Sequence, residues 1–226
     1  MKNIALILAS GIGARCELGF PKQFALINGK SILEYTVQKF ENNEKIDEIY
    51  LVTSAEFLEK VKNIAKNFKK VEKVIQGGQT RKDSSYNGIT AIDDTEANVL
   101  IHDGVRPLVS DEIINECIDQ LDTKQAVCTA IDSTDTIFFI NENNVIKSIP
   151  NRKFLKRAQT PQAFKLSLIR KAHELADKDD NCQVTDDCGL INYFNLADIY
   201  LINGDENNIK ITYKEDIEFV KKMFTS

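Results

Sequence analysis

The sequence predicts an α/β fold in which a mostly parallel sheet carries helices on both faces. The 226 residues, of which 42% are hydrophobic and 28% are charged, suit one sizeable domain spanning residues 1–226. Short continuous apolar runs alternate with segments of helical periodicity, and loops rich in glycine and polar residues follow several of the apolar runs. Such alternation implies right-handed crossovers between parallel strands.

The first apolar run, residues 4–9, is typical of a strand covered on both faces. Further strands are predicted at residues 48–53, 71–76, 98–102 and 126–131. The helices predicted between them are residues 31–40, 55–67, 81–92, and a helix capped by Ser110 that runs to about residue 121. Because ligands sit at the carboxyl ends of parallel strands, the loops after Ala9 and His102 are expected at one edge of the sheet.

A different pattern follows the last of these strands. Residues 136–140 and 145–149 flank a polar turn, which predicts a β-hairpin within an arm at about residues 132–152. Its exposed apolar side chains need cover, either from another subunit or from the arm's own domain. The chain is predicted to close with two helices, a strand at residues 199–202 and a helix at residues 214–224.

Composition excludes several functions. The net charge of -5 argues against a general nucleic-acid binder, which needs a basic face. The five cysteines include no C-x-x-C pair, so free thiols are favoured over disulfides or a zinc site. The N-terminal apolar run is shorter than a signal peptide's, and no stretch approaches the ~20 apolar residues of a membrane span. The expectation is a cytoplasmic protein without membrane contact.

A glycine loop follows the first strand. Gly11 and Gly13 would let backbone N–H groups approach a phosphate, and Arg15 and Lys22 add positive charge nearby. The loop lacks the third glycine of a dinucleotide-binding fingerprint. Phe24 also stands where a Walker A loop ending at residues 29–31 would need glycine.

Two further clusters carry candidate ligand-binding residues. Gly78, Arg81 and Ser84 surround a predicted helix start, where free N–H groups and the helix dipole bind anions, although a simply capped helix is equally compatible. Asp103 at the end of a buried strand could hold Mg²⁺ against a triphosphate, and Arg106 could bind a second phosphate. The alternative is an Asp–Arg pair that only braces the loop.

The remaining candidates lie later in the chain. Thr136 and Arg152 stand at the two ends of the hairpin, and Lys210 lies between apolar neighbours in a strand-like segment. His102 is assigned a structural role, and His173 is predicted on the surface of a helix.

The ordered set of motifs resembles the family of 2-C-methyl-D-erythritol 4-phosphate and ribitol-5-phosphate cytidylyltransferases over nearly the whole chain. The motifs are Gly11-x-Gly13-x-Arg15, Pro21-Lys22-Gln23-Phe24, Gly77-Gly78-x-x-Arg81, His102-Asp103-x-x-Arg106-Pro107, Asp135-Thr136, Gln159-Thr160-Pro161-Gln162-x-Phe164, Thr185-Asp186-Asp187 and Asn208-Ile209-Lys210-Ile211-Thr212.

The resemblance implies a Rossmann-like nucleotidyltransferase fold, the substrates CTP and a small polyol phosphate, Mg²⁺ as cofactor, and a homodimer through the hairpin arm. It implies catalytic roles for Arg15, Lys22, Asp103 and Lys210, with Asp103 as the metal ligand. Nucleotide contacts would come from Ala9, Ser10, Gly11, Gly13, Gly78, Arg81 and Ser84. Contacts to the acceptor would come from Arg106, Thr136, Arg152 and Lys210, with Thr136 and Arg152 reaching in from the partner subunit.

The sequence departs from the family pattern in places that bear on the acceptor. Ala9-Ser10 stands where the family usually has Ala-Gly or Gly-Gly, and Cys16 replaces a usual Met. Gly104 and Val105 are similar to the ribitol branch, whereas residues 185–187 are similar to the methylerythritol branch. Ribitol 5-phosphate is therefore the expected acceptor and 2-C-methyl-D-erythritol 4-phosphate the alternative. A binding protein that retained the fold without turnover is the alternative of another class.

Overall fold

A computed structural model describes residues 1–11 and 19–224 of the chain. Its strands are β1 (Lys2–Leu8), β2 (Leu26–Ile27), β3 (Lys30–Ser31), β4 (Glu48–Thr53), β5 (Val71–Gln76), β6 (Ala97–Asp103), β7 (Ala126–Asp132), β8 (Phe139–Ile140), β9 (Ile146–Ser148), β10 (Lys156–Lys165) and β11 (Tyr200–Asn203). Its α-helices are α1 (Ile32–Asn42), α2 (Leu58–Ala65), α3 (Arg81–Thr90), α4 (Asp111–Gln120), α5 (Leu166–Ala176), α6 (Asp187–Tyr193) and α7 (Lys214–Met223).

The central sheet has the strand order β11-β7-β10-β6-β1-β4-β5. All neighbouring strands are parallel except β10, which runs antiparallel to both β6 and β7. The predicted mostly parallel α/β fold is therefore confirmed. β10 was not predicted, because Pro161 and the polar residues around it disfavour a central strand. The pairing of β10 with β7 shifts register between Ala158 and Gln162, and this irregularity accommodates Pro161.

Both faces of the sheet are covered, and alternate residues of β1 serve the two cores. Ile4 and Leu6 pack in the core shared with α3, α5 and α6, whereas Ala5 and Ile7 pack in the core shared with α1, α2 and α4. These side chains are fully buried, and burying each large aliphatic group stabilises the fold by roughly 1.5–3 kcal/mol. The continuous apolar run of β1 is explained by this two-sided burial.

Polar side chains set the starts of the helices around the site. Thr80 caps α3, and its hydroxyl accepts from the backbone N–H of Asp83 while the Asp83 carboxylate accepts from the N–H of Thr80. Ser110 caps α4 as predicted, and Asp186 caps α6 by accepting from the N–H of Gly189. The caps satisfy amide groups that helix geometry leaves without partners, and they fix where each helix begins.

The hairpin arm is present, but its strands β8 and β9 are shorter than predicted. Asn144 adopts φ 58° in the turn between them, a conformation that asparagine tolerates better than most residues. Residues along the arm expose large apolar side chains, including Phe139 at 66% and Phe154 at 78%. Among the described helices, none combines the length and apolar character needed to cross a membrane.

Candidate active site

The site is built where β1 and β6 end. The two strands pair in parallel with Leu8 opposite Asp103, so the segments that follow them meet at one edge of the sheet, as predicted. A cavity of about 530 Å³ opens there. Its walls include many of the residues chosen from sequence: Ala9, Ser10, Gly11, Lys22, Gly78, Arg81, Ser84, Asp103 and Lys210.

The segment after β1 is tied back by Gln23. Its side-chain amide donates to the carbonyl oxygens of Ala9 at 2.8 Å and Gly11 at 2.9 Å. Gln23 belongs to a short 3-10 helix with Lys22, and both residues are buried at the cavity wall. Gln23 thus holds the glycine loop and Lys22 together. Gly13 and Arg15, which were also assigned to this loop, lie outside the described residues.

The second wall of the cavity comes from the segment that leads into α3. A Cβ atom on Gly77 would lie 2.4 Å from Oγ of Ser10 and 2.7 Å from Oγ of Ser84, so the two hydroxyls converge where only glycine fits. The N–H of Gly78 donates to the Ser84 hydroxyl at 3.2 Å. Within the described chain, the buried Ser10 hydroxyl has no hydrogen-bond partner. The two hydroxyls are uncharged hydrogen-bonding groups at the cavity wall.

The cavity also contains a strongly charged cluster. Asp103, only 7% exposed, faces three cationic groups: Nζ of Lys210 at 2.9 Å, Nε of Arg106 at 3.5 Å and Nε of Arg81 at 3.7 Å. Burial alone would raise the pKa of Asp103, but Lys210, Arg81 and Arg106 hold that pKa well below its usual value. The carboxylate is therefore ionised at neutral pH.

Lys210 reaches Asp103 because its backbone is fixed. The N–H of Ile211 donates to the carbonyl oxygen of Val105 at 3.0 Å, which holds residues 209–212 against the loop after β6. The segment lies outside the described strands, contrary to the strand-like interpretation of its sequence. Lys210 lines the cavity with 39% of its side chain exposed.

A buried hydrogen-bond chain fixes the end of β6, where Asp103 lies. The N–H of Asp103 donates to Thr160 Oγ1 at 3.1 Å, and this hydroxyl donates to Nδ1 of His102 at 3.0 Å. Nε2 of His102 lies 3.1 Å from the Arg106 carbonyl, which can only accept, so Nε2 carries the proton. Burial lowers the pKa of His102 to about 4. The predicted structural role of His102 fits this neutral, fully bonded ring.

Arg106 lies behind the cavity wall and is only 8% exposed. Its Nη1 donates to the carbonyl oxygen of Asn208 at 2.6 Å, and its Nε faces Asp103. These contacts match the loop-bracing alternative for the Asp103–Arg106 pair. The acceptor-binding role of Arg106 stays a prediction.

Thr136 and Arg152 lie on the exposed arm and not among the residues that line the cavity. Arg152 Nη1 donates to the carbonyl oxygen of Thr134 at 2.9 Å, which ties the two ends of the arm together. Within one chain, therefore, the structure does not bring these two candidates to Asp103.

Sequence reasoning missed part of the site. Gln79 and Thr80 also line the cavity, and Asp187 pairs with Arg81 from behind it. Val105, which the sequence associated with the acceptor, lines the cavity as well. His173 is only 2% exposed and lies 3.4 Å from Asp187, so its predicted surface position is wrong. Its place on the buried face of α5, beside Leu168, Ile169 and Ala172, was the signal that could have found it.

The fold, with a cavity lined by hydroxyl and cationic groups at the carboxyl ends of its strands, is that of an α/β protein of the nucleotidyltransferase type. A sequence model of the family described as 2-C-methyl-D-erythritol 4-phosphate cytidylyltransferase (IspD) matches residues 3–226. The chain belongs to this family of cytidylyltransferases, which are nucleotidyltransferase enzymes.

Similar proteins fall into two functional groups. The chain is 40% identical over 231 residues to the Haemophilus influenzae bifunctional ribulose 5-phosphate reductase/CDP-ribitol pyrophosphorylase Bcs1. That alignment covers 100% of this chain but 48% of the relative, so the chain spans about half of that protein's length. It is also 40% identical over 227 residues to 2-C-methyl-D-erythritol 4-phosphate cytidylyltransferase of Clostridium tetani, covering 98% of this chain and 91% of the relative.

Solved structures agree on the fold. The structure of 4-diphosphocytidyl-2C-methyl-D-erythritol synthase from Anaerococcus prevotii superposes with a TM-score of 0.88 at 31% identity, covering 100% of this chain and 96% of that chain. The structure of the 2-C-methyl-D-erythritol 4-phosphate cytidylyltransferase of Francisella tularensis superposes with a TM-score of 0.82 at 30% identity, covering 98% of this chain and 99% of that chain.

Proposed function

We propose that the protein transfers CMP from CTP to a small polyol phosphate, giving a CDP-polyol and pyrophosphate. The observation that carries the proposal is the cavity that Lys22, Arg81, Lys210 and Asp103 line together, in which Arg81 and Lys210 face the Asp103 carboxylate. A phosphate dianion and a triphosphate repel each other, and a cluster of cations in a confined site offsets this repulsion.

The proposed reaction needs no nucleophilic side chain. An oxygen of the acceptor phosphate attacks the α-phosphorus of CTP, a new P–O bond forms, and the bond to the β-phosphate oxygen breaks as pyrophosphate leaves. Lys22 and Lys210 stabilise the negative charge that this step concentrates, and Arg15 shares the role by the family resemblance. Positioning and charge stabilisation then supply most of the catalysis.

Asp103 suits a magnesium ion that also binds the nucleotide. No group of three or more His, Cys, Asp or Glu side chains within residues 1–11 and 19–224 could hold a metal on its own. Mg²⁺ is commonly bound by one or two carboxylates together with substrate phosphates, and an ionised Asp103 at the cavity wall meets that requirement. When bound there, Mg²⁺ would supply positive charge to the triphosphate. Lys210, partly exposed, would then shift its contact from Asp103 toward phosphate oxygens.

Ribitol 5-phosphate is the proposed acceptor, and Val105 is the residue that favours it over the methylerythritol ester. Val105 lines the cavity beside Asp103, where the sequence is similar to the ribitol branch. A Cβ atom on Gly104 would lie 3.0 Å from the carbonyl oxygen of Leu8, so an Ala–Ala pair would fit tightly here. The similarity to the Haemophilus relative supports this acceptor. The family match supports 2-C-methyl-D-erythritol 4-phosphate as the second candidate.

The arm is proposed to complete the site in a homodimer. Its exposed apolar side chains need cover, and Thr136 and Arg152 lie away from the cavity of their own chain. A second copy would bury the apolar surface and bring these two residues to the acceptor. A ribitol product would serve assembly of a capsule or cell-wall polymer, whereas a methylerythritol product would serve isoprenoid synthesis.

Pyrophosphate release tests the proposal. The assay contains CTP and Mg²⁺ with ribitol 5-phosphate, 2-C-methyl-D-erythritol 4-phosphate or no acceptor, and Lys22→Ala serves as the inactive control. We expect release that requires an acceptor, is fastest with ribitol 5-phosphate and is lost in Lys22→Ala. A strong preference for the methylerythritol ester would overturn the choice of acceptor. Absence of release with every acceptor would favour a binding protein.

A further inference from the structure

A buried carboxylate stands behind the nucleotide cavity. Asp187, at the first turn of α6, is only 1% exposed and does not line the cavity itself. The roles assigned above do not use it, although a buried charge is costly unless it is paired and hydrogen-bonded. Its partners therefore indicate what it does.

Arg81 is the partner that connects Asp187 to the cavity. Nη1 of Arg81 lies 2.7 Å from Oδ2 of Asp187, while its Nε lies 3.7 Å from Oδ1 of Asp103. The guanidinium thus spans two carboxylates, one behind the cavity and one in its wall. Burial disfavours the charge of Arg81, but Asp187 and Asp103 more than offset this effect and raise its pKa above the ordinary value.

Asp187 is itself held rigidly. The hydroxyl of Ser85 donates to its Oδ1 at 2.5 Å, and Nε2 of His173 lies 3.4 Å from the same oxygen. The backbone N–H groups of Asp187 and Cys188 both donate to Oε1 of Gln162, each at 3.1 Å. Helices α3 and α5 therefore hold the carboxylate, and strand β10 holds the backbone that carries it.

We infer that Asp187 is a positioning residue that holds the Arg81 guanidinium in the orientation that binds the triphosphate of the nucleotide. This rests on the proposed function, since it assumes that the cavity binds CTP. An arginine side chain loses considerable rotamer freedom when it binds a ligand, and a fixed partner removes that loss before binding. Asp187 acts through Arg81 and does not contact the substrate.

The test measures CTP binding by calorimetry, without acceptor, for the wild type and for Asp187→Asn, Arg81→Ala and the double variant. The asparagine keeps the volume of Asp187 but loses the charge that orients Arg81. We expect Asp187→Asn and Arg81→Ala each to weaken CTP binding about 10- to 100-fold. In the Arg81→Ala background, Asp187→Asn should weaken binding no further, because both changes remove the same contact.

Asp186→Asn is the matched control. Asp186 is the neighbouring residue, and it caps α6 through Oδ1 and accepts from Gln162 through Oδ2. Asparagine keeps the cap, loses the second acceptor and leaves the Asp187–Arg81 pair in place. CTP binding should stay within about twofold of the wild type in this variant. Ser85→Ala provides a milder perturbation of Asp187 and should weaken CTP binding about 2- to 5-fold.

Urea unfolding separates loss of fold from loss of positioning. If Asp187→Asn does not fold, the Ser85→Ala variant decides, and wild-type CTP affinity in it overturns the inference. Equal effects of Asp187→Asn with and without Arg81 would also overturn it. A wild type that binds CTP but releases no pyrophosphate would contradict the proposed function alone, and one that does not bind CTP would contradict both.

Discussion

Nζ of Lys210 lies 2.9 Å from Oδ2 of Asp103 and joins the C-terminal segment to the carboxyl end of β6. The pair places opposite charges at the wall of the same cavity. In the proposed reaction, the lysine stabilises phosphate charge and the carboxylate holds Mg²⁺. The two groups can therefore be tested separately.

Replacing Lys210 by alanine should lower the rate of pyrophosphate release by about 100-fold or more, because a preorganised cation near the reacting phosphates is lost. The free energy of unfolding should fall by less than about 1 kcal/mol, since a partly exposed ion pair contributes little. Steady-state kinetics and urea unfolding measure the two effects. Lys214→Ala, an exposed lysine on α7, is the control and should leave the rate unchanged. An unchanged rate in Lys210→Ala would remove Lys210 from the catalytic set.

Replacing Asp103 by alanine should abolish turnover and also destabilise the fold. Arg106 is buried beside this carboxylate, so the change leaves its charge poorly compensated, at a cost of about 3 kcal/mol. Asp103→Asn keeps the side-chain volume and should lose turnover at a smaller cost in stability. Activity close to that of the wild type in Asp103→Asn would rule out the metal-binding role.

The buried His102 should make stability depend on pH. Its pKa is lowered to about 4, whereas an unfolded histidine titrates near 6.5. As the pH falls from 7 to 5, the unfolded chain takes up a proton that the folded protein does not, so the free energy of unfolding decreases by about 2 kcal/mol. Asp103 and Asp187 have lowered pKa values, and their contributions persist until the pH falls below about 4.

Urea unfolding at pH 7 and pH 5 measures this decrease. His102→Gln removes the titrating ring. The difference in the free energy of unfolding between pH 7 and pH 5 should therefore shrink by about the same 2 kcal/mol. An equal pH dependence in the wild type and in His102→Gln would show that His102 is not the group responsible.

Arg152 should affect the acceptor more than the nucleotide if the arm completes a partner's site. Arg152→Ala is expected to raise KM for the polyol phosphate about tenfold or more and KM for CTP by less than twofold, because a charge-assisted contact to phosphate is lost. Lys153→Ala, another exposed cation of the same short helix, is the control. Equal changes in both KM values for Arg152→Ala would contradict the assignment to the acceptor.

The sequence predicted those strands and helices whose own residues match their surroundings in the fold. β1 is an apolar run because it is covered on both faces, and Ser110 begins α4 because a hydroxyl satisfies a free amide. β10 escaped prediction because its polar residues are satisfied by distant partners. Gln162, for example, bonds Asp186 and the start of α6.

The site was predictable to the extent that its residues follow strands. Lys22, Asp103 and Arg81 lie near strand ends or helix starts, and parallel topology brings those points together. Asp187 and His173 do not follow a strand of the sheet, and the packing of α5 against α3 and α6 brings Asp187 together with Arg81 and His173. Sequence motifs indicated the residues of the cavity wall. The structure was needed to place Asp187 and His173 behind that wall.

Phosphorus NMR of a mixture of CTP, Mg²⁺, ribitol 5-phosphate and the protein tests the central claim most directly, because it identifies both products. We expect the acceptor phosphate signal to be replaced by two coupled diphosphate resonances of a CDP-polyol, together with an equal amount of pyrophosphate. A spectrum in which CTP and the acceptor persist, with 2-C-methyl-D-erythritol 4-phosphate equally inert, would contradict it.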